Sequence, residues 1–192
     1  DGVTNIDDSG SQMHISCYMN EATQTSKKNA IENSFRLMAA TGKLVRISEL
    51  DMGMVDANGN DVPTANVTEE MHQRMAGLYE WIVKKYLEII PANQQWAICQ
   101  WCATDAPSNS GWRANTPVGL WTLDWYRKHT YAGFARGLGA PQNPTGIDVI
   151  EDGIKKTDKN PIHDIYGRYV GKDFEALPAG LYIQNGKKYL KR

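Results

Sequence analysis

A ten-residue stretch, Leu44–Gly53, constrains the fold more than any other part of the sequence. Within it, Val45–Leu50 is short, largely apolar or β-branched and bounded by glycines, which predicts a buried strand. Two carboxylates, Glu49 and Asp51, lie two residues apart at its end, so both would project from one face of a strand. A carboxylate at the carboxyl end of a buried parallel strand is where α/β barrels place their chemistry. The alternative is that both acids begin a solvated loop, and the rest of the chain has to decide between the two.

Strand and helix patterns alternate along residues 1–139. We predict strands over Gly10–Ser16, Val45–Leu50 and Trp96–Trp101, and helices over Ser26–Thr41, Glu69–Ile90 and Leu123–Leu138. The longest helix has apolar residues at every third or fourth position, with Thr68 as its N-cap and Pro91 at its end. Strands that alternate with helices favour a parallel sheet with helical crossovers, and therefore an α/β fold.

The sequence changes character near Gly139. A segment rich in Pro and Gly follows, and residues 147–192 carry strand and turn signals without a long amphipathic helix. Asn185-Gly186 is the strongest short hairpin signal in the chain. We therefore predict two domains, a first over residues 1–139 and a linker with a small β-rich module over residues 140–192.

Composition excludes several classes of function. A net charge of -1 over 192 residues gives no electrostatic case for binding nucleic acid or an anionic membrane. No apolar run approaches the ~20 residues of a membrane span. Cys99 and Cys102 have the spacing of metal or redox pairs, but they lie in an apolar strand pattern without a second ligand pair. With Cys17 they are expected to be buried, inert thiols, and no metal or organic cofactor is predicted.

Polar and aromatic residues follow each predicted strand. They are Gln12 and His14 at the first, Glu49 and Asp51 at the second, and Trp101, Asp105 and Trp112 at the third. If the strands are parallel neighbours, these side chains converge at one rim. Carboxylates, an imidazole and indoles, without a metal cluster or a phosphate loop, favour glycoside hydrolysis over other common chemistries.

A resemblance to a known family makes this interpretation specific. Three motifs of this chain resemble, in order and spacing, the last three strands of family 10 glycoside hydrolases, the retaining endo-1,4-β-xylanases. These motifs are GSQMHIS, VRISELDM and QWCATDAPSNSGW. The family's last two helical regions are similar to the segments HQRMAGLYEWIVKKYLE and PVGLWTLDWYRKHTYAGFARGL. The resemblance covers about residues 3–138. It implies a partial TIM (β/α)8 barrel made of the last three βα units.

The resemblance also implies roles for six residues. The catalytic group is Glu49, His14 and Asp51, and the substrate-binding group is Gln12, Trp101 and Trp112. Glu49 would be the nucleophile, His14 would contact its carboxylate, and Asp51 would hold the imidazole. Gln12 would lie close to the bound sugar, and the two indoles would wall the subsite.

The sequence departs from the family pattern at several places. Cys102 stands where the family usually has glycine, Gln100 where an aromatic residue is usual, and Asp8-Ser9 where Gly-Ile is common. The larger departure is that the family's first five strands have no counterpart in this chain. The family's acid/base glutamate, which lies on one of those strands, has no counterpart either.

We therefore expect the C-terminal portion of a secreted or cell-surface bacterial endo-xylanase, acting on xylan or xylo-oligosaccharides. The missing N-terminal half of the barrel would be supplied in cis or in trans. The tail resembles C-terminal sorting or secretion modules of secreted polysaccharide-degrading enzymes, the alternative being an ordinary β appendage. Two other functions stay open, a non-catalytic carbohydrate-binding protein on a degenerate barrel and a structural fragment without activity.

Overall fold

Three strands and three helices alternate along the first of two compact units, which span residues 1–142 and 143–192. The computed structural model describes residues 6–140, 150–152, 160–164, 167–185 and 187–191. In chain order, the elements of the first unit are β1 (Asp8–Tyr18), α1 (Glu21–Ala40), β2 (Leu44–Val55), α2 (Glu69–Ile89), β3 (Gln95–Gln100) and α3 (His129–Gly137). A short 3-10 turn, Thr64–Asn66, lies between β2 and α2.

The three strands form one parallel sheet in the order β1-β2-β3. Each strand is followed by a helix, so the unit repeats the βα arrangement that was predicted from the alternating pattern. β2 is central and is twelve residues long, twice the length that the apolar run alone predicts. The polar stretch after the run continues the strand because its backbone pairs with β1 as far as Val55.

Two helices begin at residues other than those predicted, and all three end one residue earlier than predicted. α1 begins at Glu21 rather than Ser26, because the Asn20 side chain accepts a hydrogen bond from the Thr23 N–H and caps the helix there. α3 begins at His129 rather than Leu123, because the segment before it folds back in an antiparallel bridge between Trp121 and Arg127. α2 has the predicted Thr68 cap, whose hydroxyl accepts from the Met71 N–H.

The core lies between one face of the sheet and α2. The buried apolar side chains of β2 are those of Val45, Ile47, Leu50, Met52 and Met54, and those of α2 are Met75, Leu78, Tyr79, Ile82 and Tyr86. α3 packs against α2 at a close approach, since a Cβ on Gly133 would lie 2.1 Å from the Ala76 carbonyl oxygen. Only glycine allows that separation, and the layer of helices is therefore fixed on the back of the sheet.

The prediction of buried thiols is correct for Cys17 and wrong for Cys99 and Cys102. Cys17 is buried, and burial raises its pKa to about 11. Cys99 and Cys102 are exposed. The physical reason for Cys99 is that β3 has a sheet neighbour on one side alone within the described residues, so the strand is not fully covered. Cys102 lies beyond the end of β3, in the loop that follows.

The second unit is a small β module. Its strands are β4 (Ile150–Asp152), β5 (Ile162–Asp164), β6 (Tyr169–Gly171), β7 (Gly180–Gln184) and β8 (Lys187–Lys191), in the sheet order β4-β8-β7-β5-β6. A separate core is formed by Ile162, Phe174, Tyr182 and Tyr189. The predicted hairpin is present, since β7 and β8 pair antiparallel on either side of Asn185, although Gly186 lies outside the described residues.

Among the described helices of both units, none combines the length and the apolar character that crossing a bilayer requires.

Candidate active site

A β-bulge at Ser48 determines where the two carboxylates of β2 point. Ile47 pairs with Ser11 of β1, but the next pair is Glu49 with Gln12, so Ser48 is an extra residue. The register with β3 also contains one extra β2 residue between Ile47 and Leu50, besides a separate shift between Val45 and Arg46. Side chains alternate between the faces of a strand, and one extra residue reverses the alternation. Glu49 and Asp51 therefore point away from the helices, whereas without the bulge they would share the face of Ile47.

A chain of hydrogen bonds joins β1 to β2 on that face. His14 lies between two carboxylates, with Nδ1 2.8 Å from Asp51 Oδ2 and Nε2 3.1 Å from Glu49 Oε2. Gln12 Nε2 donates to the other oxygen of Glu49, Oε1, at 2.9 Å. The parallel register explains the contacts, because Gln12 stands opposite Glu49 and His14 stands opposite Asp51. Both oxygens of Glu49 are thus held by β1, while the carboxylate remains accessible from the open side of the sheet.

Asp51 is the anchor of this chain. It is fully buried, and its Oδ2 also accepts a hydrogen bond of 2.7 Å from Trp112 Nε1. Its Oδ1 has no hydrogen-bond partner among the described residues, but it lies 3.6 Å from the guanidinium of Arg113. A buried carboxylate needs compensation, which here comes from two neutral or cationic donors and one nearby positive charge.

Two tryptophans flank the imidazole. The ring centroid of His14 lies 4.6 Å from that of Trp112 and 6.1 Å from that of Trp101. Each indole is 42% exposed, so each offers a face to a ligand above the carboxylates. Indole faces stack on sugar rings and leave the hydroxyl groups to polar partners. The structure therefore brings together the six residues that were predicted for the site.

Cys102, next to Trp101, has a left-handed backbone with φ of +65°. That conformation favours glycine, the residue expected at this position from the family pattern. The loop keeps the glycine-type conformation although cysteine occupies it. The pKa of the Cys102 thiol is raised by partial burial and by the nearby negative charge of Asp51.

Asp105 was expected at the same rim, and the structure places it elsewhere. It is buried in an ion pair with Lys128, and its Oδ1 also accepts from the Gly119 N–H. Burial raises the pKa of Asp105 and lowers that of Lys128, since each loses hydration as an ion. The Lys128 ammonium also donates to the carbonyl of Pro117 at 2.9 Å. Asp105 therefore fixes the loop after β3 and is not available to a ligand.

The site supplies a held carboxylate but no evident acid. Asp51 is covered by His14 and Trp112, and Asp105 is buried with Lys128. Glu21, the first residue of α1, is paired with Arg74 at 2.7 Å. The arrangement can present Glu49 as a nucleophile, but none of these other three carboxylates is placed to protonate a leaving group. Within the described ranges, no group of three or more His, Cys, Asp or Glu side chains could hold a metal ion.

Sequence reasoning missed Arg113 and Gly53. Arg113 lies in a polar loop with no periodic pattern, so no local signal separates it from other loop residues. Its guanidinium lies over Gly53, where an added Cβ would come within 2.6 Å of Nη1. A glycine inside a strand indicates close approach of another group, and this signal was available in the sequence.

Comparisons with known proteins identify the family and the fold of the first unit. The family model described as Glycosyl hydrolase family 10 matches residues 2–136. Among solved structures, the catalytic core of a xylanase A is similar at 23% identity and a TM-score of 0.57, over 70% of this chain and 41% of that one. A mutant xylanase A from P. fluorescens subsp. cellulosa, in complex with xylopentaose, is similar at 22% identity and a TM-score of 0.56, over 70% and 40%.

A mutant Xylanase10C from Cellvibrio japonicus, also in complex with xylopentaose, is similar at 25% identity and a TM-score of 0.53, over 70% of this chain and 27% of that one. The chain thus spans about two fifths or less of the length of these three structures. No curated protein matches the sequence.

Proposed function

Because the chain belongs to glycosyl hydrolase family 10, we propose that it is the C-terminal part of a retaining endo-1,4-β-xylanase with Glu49 as its nucleophile. The observation that carries the proposal is the way Glu49 is held. One oxygen accepts from Gln12, and the other faces His14, whose second nitrogen is fixed by the buried Asp51. A nucleophile in a retaining glycosidase has to be oriented under the anomeric carbon, and this arrangement orients a carboxylate from two sides.

The proposed reaction is a double displacement at the anomeric carbon. A Glu49 oxygen attacks C1 of the sugar, and the bond from C1 to the leaving oxygen breaks as the glycosyl-enzyme ester forms. Water then attacks C1 and gives its proton to the second carboxyl, which is ionised after it has protonated the leaving oxygen. Glu49 leaves as a carboxylate, and the stereochemistry at C1 is retained. His14 keeps the carboxylate in place throughout, because its imidazole is held by Asp51 on the side away from the sugar.

Protonation of the leaving group needs a second carboxyl about 5–5.5 Å from the nucleophile. Asp51, Asp105 and Glu21 are each committed to other partners. We propose that the acid comes from the rest of the barrel, supplied in cis or in trans. The free sides of β1 and β3 are where its strands would pair, since neither edge has a partner within the described residues.

Substrate recognition is proposed to rest on Trp101, Trp112 and Gln12. The two half-exposed indoles flank the site, and Gln12 donates a hydrogen bond to the proposed nucleophile, which puts its amide beside a sugar that Glu49 attacks. Xylopentaose in two of the similar structures supports a β-1,4-linked xylose polymer as the substrate. Polymeric xylan is too large to cross a cell membrane, so we propose that the chain acts outside a bacterial cell and that the β module serves secretion or sorting.

Covalent labelling tests the proposal. A 2-fluoro xylobioside with a good leaving group needs no acid for the first step, so it should form a stable ester with Glu49. The chain is incubated with this reagent, digested and mapped by mass spectrometry. The label is expected on the peptide that contains Glu49, and Glu49→Gln should remove it. Glu21→Gln is the matched control, because Glu21 is exposed and paired with Arg74 away from the site.

Each outcome decides something. A label on Asp51 or Asp105 would overturn the assignment of the nucleophile. Binding of xylo-oligosaccharide without any label would favour a non-catalytic carbohydrate-binding protein. If neither the chain nor its assembly with a complementary barrel part binds the sugar or takes the label, the remaining interpretation is a structural fragment without activity.

A further inference from the structure

We propose that Arg113 is a positioning residue for the reaction proposed above. It holds the loop that carries Trp112 against the His14–Asp51 pair. The inference rests on the proposed function for its kinetic consequence, but not for its structural one. Arg113 makes no contact with Glu49 and acts on the substrate through Trp112 alone.

The side chain of Arg113 reaches from the loop to both neighbouring strands. Its Nη1 donates to the carbonyl oxygen of Ile15 in β1 at 2.7 Å and lies 3.6 Å from Asp51 Oδ1 in β2. Its Cζ is 5.9 Å from the centre of the Trp112 ring. One guanidinium therefore connects β1, β2 and the indole, and a planar group with several donors suits this better than an ammonium.

The chain makes room for this contact at Gly53. An alanine Cβ there would lie 2.6 Å from Nη1 and 3.6 Å from Cζ of Arg113, so the guanidinium occupies the space that a side chain would take. Gly53 does not have a left-handed backbone, since its φ is not among the positive values of the chain. Glycine is required at residue 53 because it has no side chain, which leaves space for the Arg113 guanidinium, and not because of its backbone conformation.

The loop backbone is arranged around the same residue. Arg113 has φ of +46°, which is unfavourable for an L-residue, and Asn115 has φ of +65°. The Arg113 carbonyl accepts from the Thr116 N–H at 3.2 Å, and the Ser110 hydroxyl donates to the Trp112 carbonyl at 2.7 Å. A conformation of this kind persists where the surroundings determine it, and the guanidinium contacts are part of those surroundings.

Loss of these contacts should release Trp112 and leave Glu49 in place. The bond from Trp112 Nε1 to Asp51 Oδ2 would no longer be backed by the loop. Glu49 keeps Gln12 and His14, neither of which Arg113 touches. In an assembly that hydrolyses xylo-oligosaccharides, the KM should therefore rise about tenfold while kcat stays within about threefold, the pattern expected when binding alone is lost.

The decisive measurement needs no substrate. The exchange rate of the Trp112 indole N–H is measured by NMR in the ¹⁵N-labelled chain, and Trp112→Phe assigns the signal. Arg113→Met and Gly53→Ala should each speed this exchange about tenfold, because the first removes the guanidinium and the second displaces it from its position over residue 53. Arg113→Lys keeps one donor and should stay within about threefold of the native rate. The amide of Ile82, in the core of α2, should not change in any of them.

Arg136→Met is the matched control. Arg136 has a side chain 20% exposed against 22% for Arg113, and it pairs with Glu80 at 2.8 Å in the layer of helices. It should leave Trp112 exchange at the native rate. An unchanged rate in either Arg113→Met or Gly53→Ala overturns the proposal, and so does equal acceleration at Trp112 and Ile82, which would indicate general destabilisation. If an assembly with the rest of the barrel neither forms the Glu49 adduct nor hydrolyses xylo-oligosaccharides, the proposed function fails, and the exchange result still stands.

Discussion

His14 in β1 stands directly opposite Asp51 in β2, and the two side chains meet through a 2.8 Å contact between Nδ1 and Oδ2. The register of two parallel strands thus fixes the imidazole from the side away from Glu49. Because the contact comes from backbone pairing, it does not depend on a bound ligand. The consequences for Asp51 can be tested by changing its charge and keeping its shape.

Asp51→Asn should lower the rate of aryl release from an activated xylobioside roughly 100-fold, the cost expected when the Glu49 carboxylate is misplaced by loss of the anchor of His14. The amide nitrogen cannot accept from His14 or Trp112, and it would face the positive charge of Arg113. Asp124→Asn makes the same change on an exposed turn and should leave the rate as it is. Equal rates for Asp51→Asn and the native chain would remove Asp51 from the proposed mechanism.

The 192-residue chain alone should not hydrolyse xylan. Three βα units leave a sheet with two unpaired edges within the described part, whereas a barrel closes with eight strands. Natural sugar leaving groups also need an acid that Asp51, Asp105 and Glu21 do not provide. The measurement is the release of reducing ends from xylan by chain shown to be folded by circular dichroism. Turnover comparable to that of an intact xylanase would show that the acid lies within this chain.

Cys102→Gly should raise the free energy of unfolding by roughly 0.5–1 kcal/mol. A left-handed φ costs an L-residue about 1–2 kcal/mol, and the extra freedom of glycine in the unfolded chain returns part of that. Cys99→Gly is the matched control, since Cys99 is an exposed strand residue without positive φ, and it should lose about 0.5–1 kcal/mol. Urea titration of both variants checks the signs, and a destabilised Cys102→Gly contradicts the expectation.

Lys128→Met should destabilise the first unit by about 3–5 kcal/mol, because it leaves the buried Asp105 carboxylate without its cation. Lys84→Met is the comparison. Lys84 pairs with Glu80 one helical turn away on an exposed face of α2, and its loss should cost less than about 1 kcal/mol. Thermal and urea unfolding measure both. Equal losses would mean that burial of the Asp105–Lys128 pair has no energetic weight.

His72 should make the first unit less stable in mild acid. Its pKa is lowered from 6.5 by burial first, and then by the charges of Lys128 and His129, while Glu69 and Asp105 act in the opposite sense. Its ring stacks on that of His129 at 5.6 Å. As the pH falls below 6.5 the unfolded chain takes up the proton first, so stability present above that pH is lost.

The loss due to His72 is at most about 1.4 kcal/mol per pH unit, the limit for one proton. His72→Gln should flatten the pH dependence of the free energy of unfolding just below pH 6.5, where the unfolded chain is protonated at this residue and the folded chain is not. His163→Gln, in the separate β module, is the control and should leave the slope of the first unit unchanged. An identical slope in His72→Gln and the native chain would count against the burial effect.

Residue patterns predicted much of the fold because buried faces of helices and strands require apolar residues at regular spacings in the sequence. The stripe of α2 and the apolar runs of β2 and β3 gave the order of elements, and with it the edge where Gln12, His14, Glu49 and Asp51 meet. The ends of the helices and strands were predicted less accurately than their order. The cap at Asn20 was overlooked although Glu21 follows it in the first helical turn, where an acidic residue is favoured. The twelve-residue length of β2 depends on pairing with β1, which no local pattern encodes.

Contacts between distant segments account for the remaining differences. Asp105 follows β3 as a rim residue would, but its partner Lys128 lies 23 positions away and draws it inward. Arg113 reaches Ile15 across 98 positions. Exposure of Cys99 follows from which strands are present beside β3, which its own apolar neighbours cannot indicate. Such properties are set by tertiary structure and not by sequence period.

The extra residue at Ser48 has a consequence for how this protein can vary. A strand has two faces, so the number of residues between Ile47 and Glu49 fixes whether the carboxylates meet the sugar side or the apolar layer. Gaining or losing one residue there would exchange the two environments for every position as far as Val55. Insertion or deletion of a single residue between Ile47 and Glu49 should therefore be selected against, because it would turn both carboxylates toward the apolar layer.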